Sequence, residues 1–170
     1  LKKELSGEEI MDVEDNIDPR DQKSIQSTAT FRPASMDEKV IAREISKNTE
    51  QACENARALN LVGNKISFFV KTSEFKYFTG EVKLKIYTSD PGVILDNILP
   101  ELPKLLKNKN RIRSTGVTLH NLIREEDVPI DLFGEQEKAI KNLIVEKTAD
   151  RIRGKFGKGS IGRASSLGDK

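Results

Sequence analysis

Two rhythms of apolar residues run along the chain. From Lys23 to Phe31, in KSIQSTATF, Ile25, Ala29 and Phe31 point one way and Ser24, Gln26, Thr28 and Thr30 the other. Alternation with a period of two predicts a half-buried strand, which Pro33 is expected to break. From Met36 the spacing changes to three and four. Val40, Ile41, Ile45, Ala52, Cys53, Ala56 and Leu59 form a helical stripe, with Ser35 as the expected N-cap, Glu38 as its capping-box partner, and an end near Gly63. Ile66, Phe68 and Val70 then alternate with Ser67, Phe69 and Lys71, and Val82, Leu84 and Ile86 with Lys83, Lys85 and Tyr87. These two strands predict an antiparallel hairpin with a longer loop from Thr72 to Gly80.

Asp90 followed by Pro91 marks a second helix start. Val93, Ile94, Ile98, Leu102, Leu105 and Leu106 continue it, interrupted by Pro100 and Pro103. Ile112 to Ile123 reads as the last strand, with Val117 and Leu119 inward and a bulge expected at Gly116. The predicted fold is α+β, in the order β-α-β-β-α-β. It has a four-stranded antiparallel sheet, helices on one face, and an added C-terminal helix over 135–156. That helix is expected to turn Ala139, Ile140, Leu143, Ile144, Ala149, Ile152 and Phe156 to one side. The sheet's other face is left uncovered. Alternation places on it Lys23 or Ser24, Gln26, Thr28, Lys71, Thr79, Lys83, Lys85, Arg113 and Thr118.

Charge changes this picture. The net charge of the 170 residues is only +2. Residues 1–21 carry 3 basic and 8 acidic side chains, 22–123 carry 16 and 10, 124–136 carry 1 and 5, and 137–170 carry 9 and 4. Such blocks fit either a solvated surface with linkers or a basic domain that faces a polyanion between acidic connectors. The predicted divisions are 1–21 as a remnant and linker, 22–123 as the domain, 124–134 as an acidic linker, 135–156 as the helix, and 157–170 as a mobile basic tail. A start without Met reads as cut from something longer. No apolar run is long enough to span a bilayer and none resembles a secretion signal, so a cytoplasmic protein without a membrane partner is expected.

Candidate chemistry is sparse. Cys53 is the only cysteine and His120 the only histidine, which excludes an internal disulfide and Cys- or His-rich metal clusters. Glu8, Glu9, Glu125 and Glu126 sit in linkers without an apolar pocket to tune them. Gly157, Gly159 and Gly162 fit G-x-G-x-x-G, but they follow a helix and open none. No catalytic residue and no metal ligand is assigned. Lys, Arg, Ser and Thr on an open sheet are the side chains that bind phosphate oxygens. Phe69 and Tyr87 are the only aromatics expected there, so backbone binding is favoured over base readout. PIDLF, Pro129 to Phe133, sets large apolar residues in an acidic linker, to dock in this protein or in a partner.

KSIQSTATF, ISFFVKTSEFKYFTGEVKLKI, RIRSTGVTLHNLI followed by PIDLF, and ADRIRGKFGKGSIGRASSL together resemble the C-terminal part of Y-family translesion DNA polymerases, of the bacterial polymerase IV and polymerase V catalytic-subunit type. The resemblance implies that residues 22–123 are the little finger, whose sheet grips both backbones of primer-template DNA in the major groove. Residues 1–13 resemble the end of the thumb. It implies phosphate-side contacts for Lys23, Ser24, Gln26 and Thr28 on the first strand, and for Arg113 and Thr118 on the last. PIDLF is similar to the pentapeptide that binds the bacterial sliding clamp, with Pro129 in place of the usual Gln, which assigns Ile130, Asp131, Leu132 and Phe133 to clamp binding. The palm and fingers are not in this sequence. This fragment is therefore expected to be inactive alone and to need no cofactor, whereas the parent would be a DNA-directed DNA polymerase using magnesium. The alternative is a stand-alone α/β module that binds RNA or protein.

Overall fold

A computed structural model describes residues 22–107, 110–129, 135–157 and 160–166. Strand β1 spans Ser24–Ser35, helix α1 Glu38–Ala58, β2 Leu61–Thr72, β3 Tyr77–Thr88, helix α2 Pro91–Ile98, helix α3 Leu102–Leu105, β4 Ile112–His120, β5 Ile123–Arg124 and helix α4 Glu135–Phe156. The predicted order of strands and helices is the observed one. The sheet runs β1-β4-β2-β3 with every neighbouring pair antiparallel, and the two residues of β5 pair with Leu61 and Val62. The last long strand is thus inserted at the centre, between β1 and β2.

One face of the sheet carries the core. Ile25, Ile66, Phe68, Val70, Leu84, Val117 and Leu119 meet Ile41, Ile45, Ala52, Cys53 and Ala56 of α1 and Ile94, Leu95 and Ile98 of α2. These are the apolar positions that the two rhythms select. Burial pushes the Cys53 thiol well above its ordinary range, so Cys53 packs as a small apolar side chain and supplies no thiolate.

Several local expectations are corrected. Ser35 is still paired in β1, opposite Ile112, so Asp37 caps α1 by accepting from the Lys39 amide at 2.8 Å. Pro33 does not end β1; the strand's register slips between Thr30 and Ser35 instead. Helix α1 ends at Ala58 with Leu59 as its C-cap, and Asn60 follows at φ 54°, a left-handed conformation that Asn tolerates, while Gly63 lies inside β2. The short β2-β3 connection is tighter than the expected Thr72 to Gly80, because β2 runs to Thr72 and β3 already begins at Tyr77. Asn121 at φ 52° stops β4 before Ile123. By contrast Asp90 caps α2 as expected, accepting from the Gly92 amide at 2.8 Å beside Pro91. Pro100 and Pro103 break the following chain into a 3-10 turn, Leu99–Glu101, and α3.

Helix α4 departs most from its expected pattern. Ile144, Val145 and Phe156 are exposed, and the inward side is polar. Arg57, 4% exposed, reaches from α1 to Asp150 at 2.9 Å, to Glu146 and to the Ser89 carbonyl. Burial alone would pull the Arg57 pKa down; the Asp150 hydrogen bond and charge, with Glu146, raise it overall, so the guanidinium stays charged. Arg153 donates to Asp150 and to the Ile161 carbonyl, and Arg163 joins Asp90 and Glu146. The tail expected to be mobile is therefore fastened at Arg163, next to the 3-10 turn Ala164–Ser166. Among the described residues no helix is long and apolar enough to cross a membrane.

Asn48, 3% exposed, joins α1 to the sheet. Its amide donates to the Thr115 carbonyl at 3.1 Å and to the Thr115 hydroxyl at 2.9 Å, and its carbonyl accepts from Ser27 at 3.3 Å. Asn48→Ala orphans the buried Thr115 groups and should cost about 1–3 kcal/mol. Phe68→Ala should cost about 3–5 kcal/mol through the cavity it leaves. Urea unfolding of both variants checks these values; a loss under half a kcal/mol for either would show that its site is not packed as described.

Candidate nucleic-acid interface

Strand register turns the open face into four rungs. In sheet order these are Ser24, His120, Lys65 and Lys83; Gln26, Thr118, Ser67 and Glu81; Thr28, Gly116, Phe69 and Thr79; and Thr30, Ser114, Lys71 and Tyr77. Ser24, Gln26, Thr28, Lys71, Thr79, Lys83 and Thr118 therefore lie together on one surface, as alternation predicts. Lys85 is exposed two residues beyond Lys83 on the same strand parity. Lys23 precedes β1 and lines a separate concavity with Gln22, Leu61, Leu122 and Asp127, so Ser24, not Lys23, belongs to the rungs.

Arg113 reaches this surface for a reason that its sequence parity hides. Lys71 pairs with Ser114, and Thr72 with Ile112, so Arg113 is an extra residue in β4. The bulge is at Arg113 and not at Gly116, and it turns Arg113 out on the side of Ser114. The guanidinium lies over the Phe75 ring at 4.9 Å, and Lys71 lies over the same ring at 5.1 Å and over Tyr77 at 4.6 Å. Gly116 has its own role. A Cβ there would run into the Phe69 ring and Thr28, so the missing side chain lets Phe69 lie flat across β4. Phe69 in turn packs against Tyr77 with ring centroids 5.4 Å apart.

Electrostatically the surface is unbalanced. Its rungs carry Lys65, Lys71 and Lys83, joined by Arg113, against a single carboxylate, Glu81, which pairs with Lys65 at 3.0 Å. Hydroxyls add donors: Ser67 contacts His120 Nε2 at 2.8 Å, and Thr30 donates to Ser114 at 3.3 Å. Such a surface offers fixed cations and rotatable hydroxyl donors to an array of anionic oxygens. Among the described residues no group of three or more His, Cys, Asp or Glu side chains could hold a metal ion.

Lys65, Ser67, His120, Phe75, Tyr77 and Glu81 join the surface without being assigned to it by the sequence. Lys65 and Ser67 share the parity of Phe69 and were legible in the alternation. Tyr77 was hidden by the overlong predicted loop, and Phe75 by its place in a turn. Ile130, Asp131, Leu132 and Phe133 lie outside the described residues. Pro129 is exposed at the edge of that segment.

Residues 22–132 match the impB/mucB/samB family C-terminal domain. The DNA polymerase IV of Clostridium acetobutylicum is 33% identical over 131 residues, 73% of this chain and 32% of that protein. The DNA polymerase IV of Acetivibrio thermocellus is 27% identical over 123 residues, 72% of this chain and 31% of that protein. The chain thus spans about a third of the length of these curated relatives. In fold it is similar to a DinB family error-prone DNA polymerase from Sulfolobus solfataricus, at a TM-score of 0.52 and 19% identity, over 59% of this chain and 30% of the other. It is also similar to the little finger domain of PolIV in a complex with the beta-clamp processivity factor, at a TM-score of 0.50 and 10% identity, over 64% of this chain and 97% of the other.

Gly116→Ala should displace Phe69 and cost about 1–3 kcal/mol, because the new methyl group has no room under the ring. A thermal melt compared with Gly154→Ala, where a Cβ meets nothing within 4 Å, checks this. Equal melting temperatures would mean that Phe69 does not cover Gly116.

Proposed function

The chain belongs to the impB/mucB/samB family of C-terminal domains, with the fold of a Y-family little finger, and we propose that its open sheet face grips primer-template DNA for a translesion polymerase. One observation carries this reading: an open face with Lys65, Lys71, Lys83 and Arg113 on or beside its rungs and Lys85 beyond them, a single carboxylate in the rungs, and hydroxyls at strand spacing. Side chains of this kind hold the phosphate backbone without reading sequence. The residues assigned to it are Ser24, Gln26, Thr28, Lys71, Thr79, Lys83, Arg113 and Thr118, with Lys23 at the margin and Lys65 added from the register. The parent protein would polymerise DNA with magnesium held in domains that this chain does not include. A family match over 22–132 disfavours a stand-alone module with no polymerase parent.

DNA affinity should fall with salt, by about 0.9 log units per log unit of salt for each phosphate neutralised. Arg113→Ala and Lys83→Ala should each weaken binding and reduce that slope by about one, while shifting stability by no more than about 0.5 kcal/mol. Glu81→Gln should strengthen binding, because it removes the face's carboxylate and frees Lys65. Fluorescence anisotropy on a labelled duplex across a salt series measures all three. A slope near zero, or tighter binding by Arg113→Ala, would overturn the assignment.

We also propose that Ile130, Asp131, Leu132 and Phe133 bind the bacterial sliding clamp, a reading supported by the PIDLF sequence. A short segment ordered on binding should give an affinity on the order of micromolar. Replacing Leu132 and Phe133 by Ala should abolish binding, and Pro129→Gln should tighten it by restoring a side-chain amide. Clamp titration with the three peptides decides the matter: equal binding by the wild-type and double-alanine peptides rules the motif out.

A further inference from the structure

The β2-β3 turn carries a feature that phosphate gripping leaves unused. Phe75 is 62% exposed and Tyr77 57% exposed, at one end of a face whose other side chains, Phe69 apart, are polar. Phe75 holds φ 65°, a conformation costly for a bulky residue, and Lys71 and Arg113 lie against its ring. Tyr77 is braced by Phe69, which itself rests on Gly116, so this aromatic pair is backed by the centre of the sheet. The turn's one carboxylate, Glu74, is paired with Lys76 at 3.0 Å, and no ion pair to a carboxylate is found for Lys71 or Arg113 among the described residues.

We propose that Phe75 and Tyr77, flanked by Lys71 and Arg113, form a stacking site for an unpaired nucleobase of the DNA that the sheet holds. The inference rests on the DNA-gripping reading and extends it. Paired bases inside a duplex present their edges to a protein, and their ring faces are covered by neighbours. Away from the duplex ends, only an unpaired base offers a ring face to Phe75 or Tyr77. Lys71 and Arg113 lie over the Phe75 ring without a base and, displaced from its face by one, stay within reach of the phosphates on either side. The site thus favours DNA in which a duplex ends in a single strand.

The test uses the 170-residue protein with two labelled probes, a blunt duplex and the same duplex extended by a few unpaired thymidines, at one salt concentration. The wild type should bind the extended duplex about tenfold more tightly. In Phe75→Gly, which suits the positive φ and preserves the turn, and in Tyr77→Ala, the ratio of the two affinities should fall towards one. A wild-type ratio near one, or a ratio that survives in both variants, overturns the stacking site and leaves phosphate gripping standing. Failure of the wild type to bind either probe overturns both readings.

Discussion

The three hydrogen bonds of Asn48 are the constraint on which the open sheet face depends. They tie one buried amide of α1 to Thr115 in the central strand β4 and to Ser27 in β1, the edge strand beside it. A slip of β4 by one residue would exchange its two faces and bury Thr118 where Val117 and Leu119 now pack. A satisfied buried polar group adds modest stability, but it penalises every register in which its partners are lost. The four rungs, the exposure of Thr118 and the approach of Phe69 to Gly116 all follow from this one alignment.

The opposite side of the domain is held by charge. Arg57 is almost fully buried between Asp150, Glu146 and the Ser89 carbonyl, and Arg153 and Arg163 extend the network to Asp90 and Ile161. Desolvating so many ions makes a poor source of net stability, and removing one partner leaves others buried and unpaired. The network therefore specifies where α4 lies more than it glues it there. Lys147 adds a second tie, from α4 to Glu125 and Asn60. The 3-10 turn before residues 130–134 and the helix after them are thereby fastened to the same part of the domain.

These two surfaces explain why block charge is an ambiguous guide. The segment 137–170 carries more basic residues than acidic ones, yet Lys147, Arg153 and Arg163 are engaged inside the protein. On the sheet face, Lys71 and Arg113 meet aromatic rings instead of carboxylates. A ring leaves a cation's charge uncancelled, so the positive potential remains available to a polyanion. Partner choice, not the count of cations, separates the open sheet face from the structural one.

The element order and the inward side of each long strand follow from local sequence alone. Periods of two and 3.6 are local properties, and Ile25, Phe68, Leu84, Val117 and Leu119 all lie where alternation puts them. Asp90 before Pro91 marked a helix start for the same local reason. Caps, bulges and the facing of α4 were decided only by tertiary structure. Ser35 lost the cap because it pairs with Ile112, and the bulge fell at Arg113 because two flanking strands fix the register there. Helix α4 turned its acids inward because Arg57, 93 residues from Asp150 in sequence, and Arg163 wait beneath it, and its own Arg153 turns inward with them. Such partnerships join residues that no local rhythm connects, so only the folded chain reveals them.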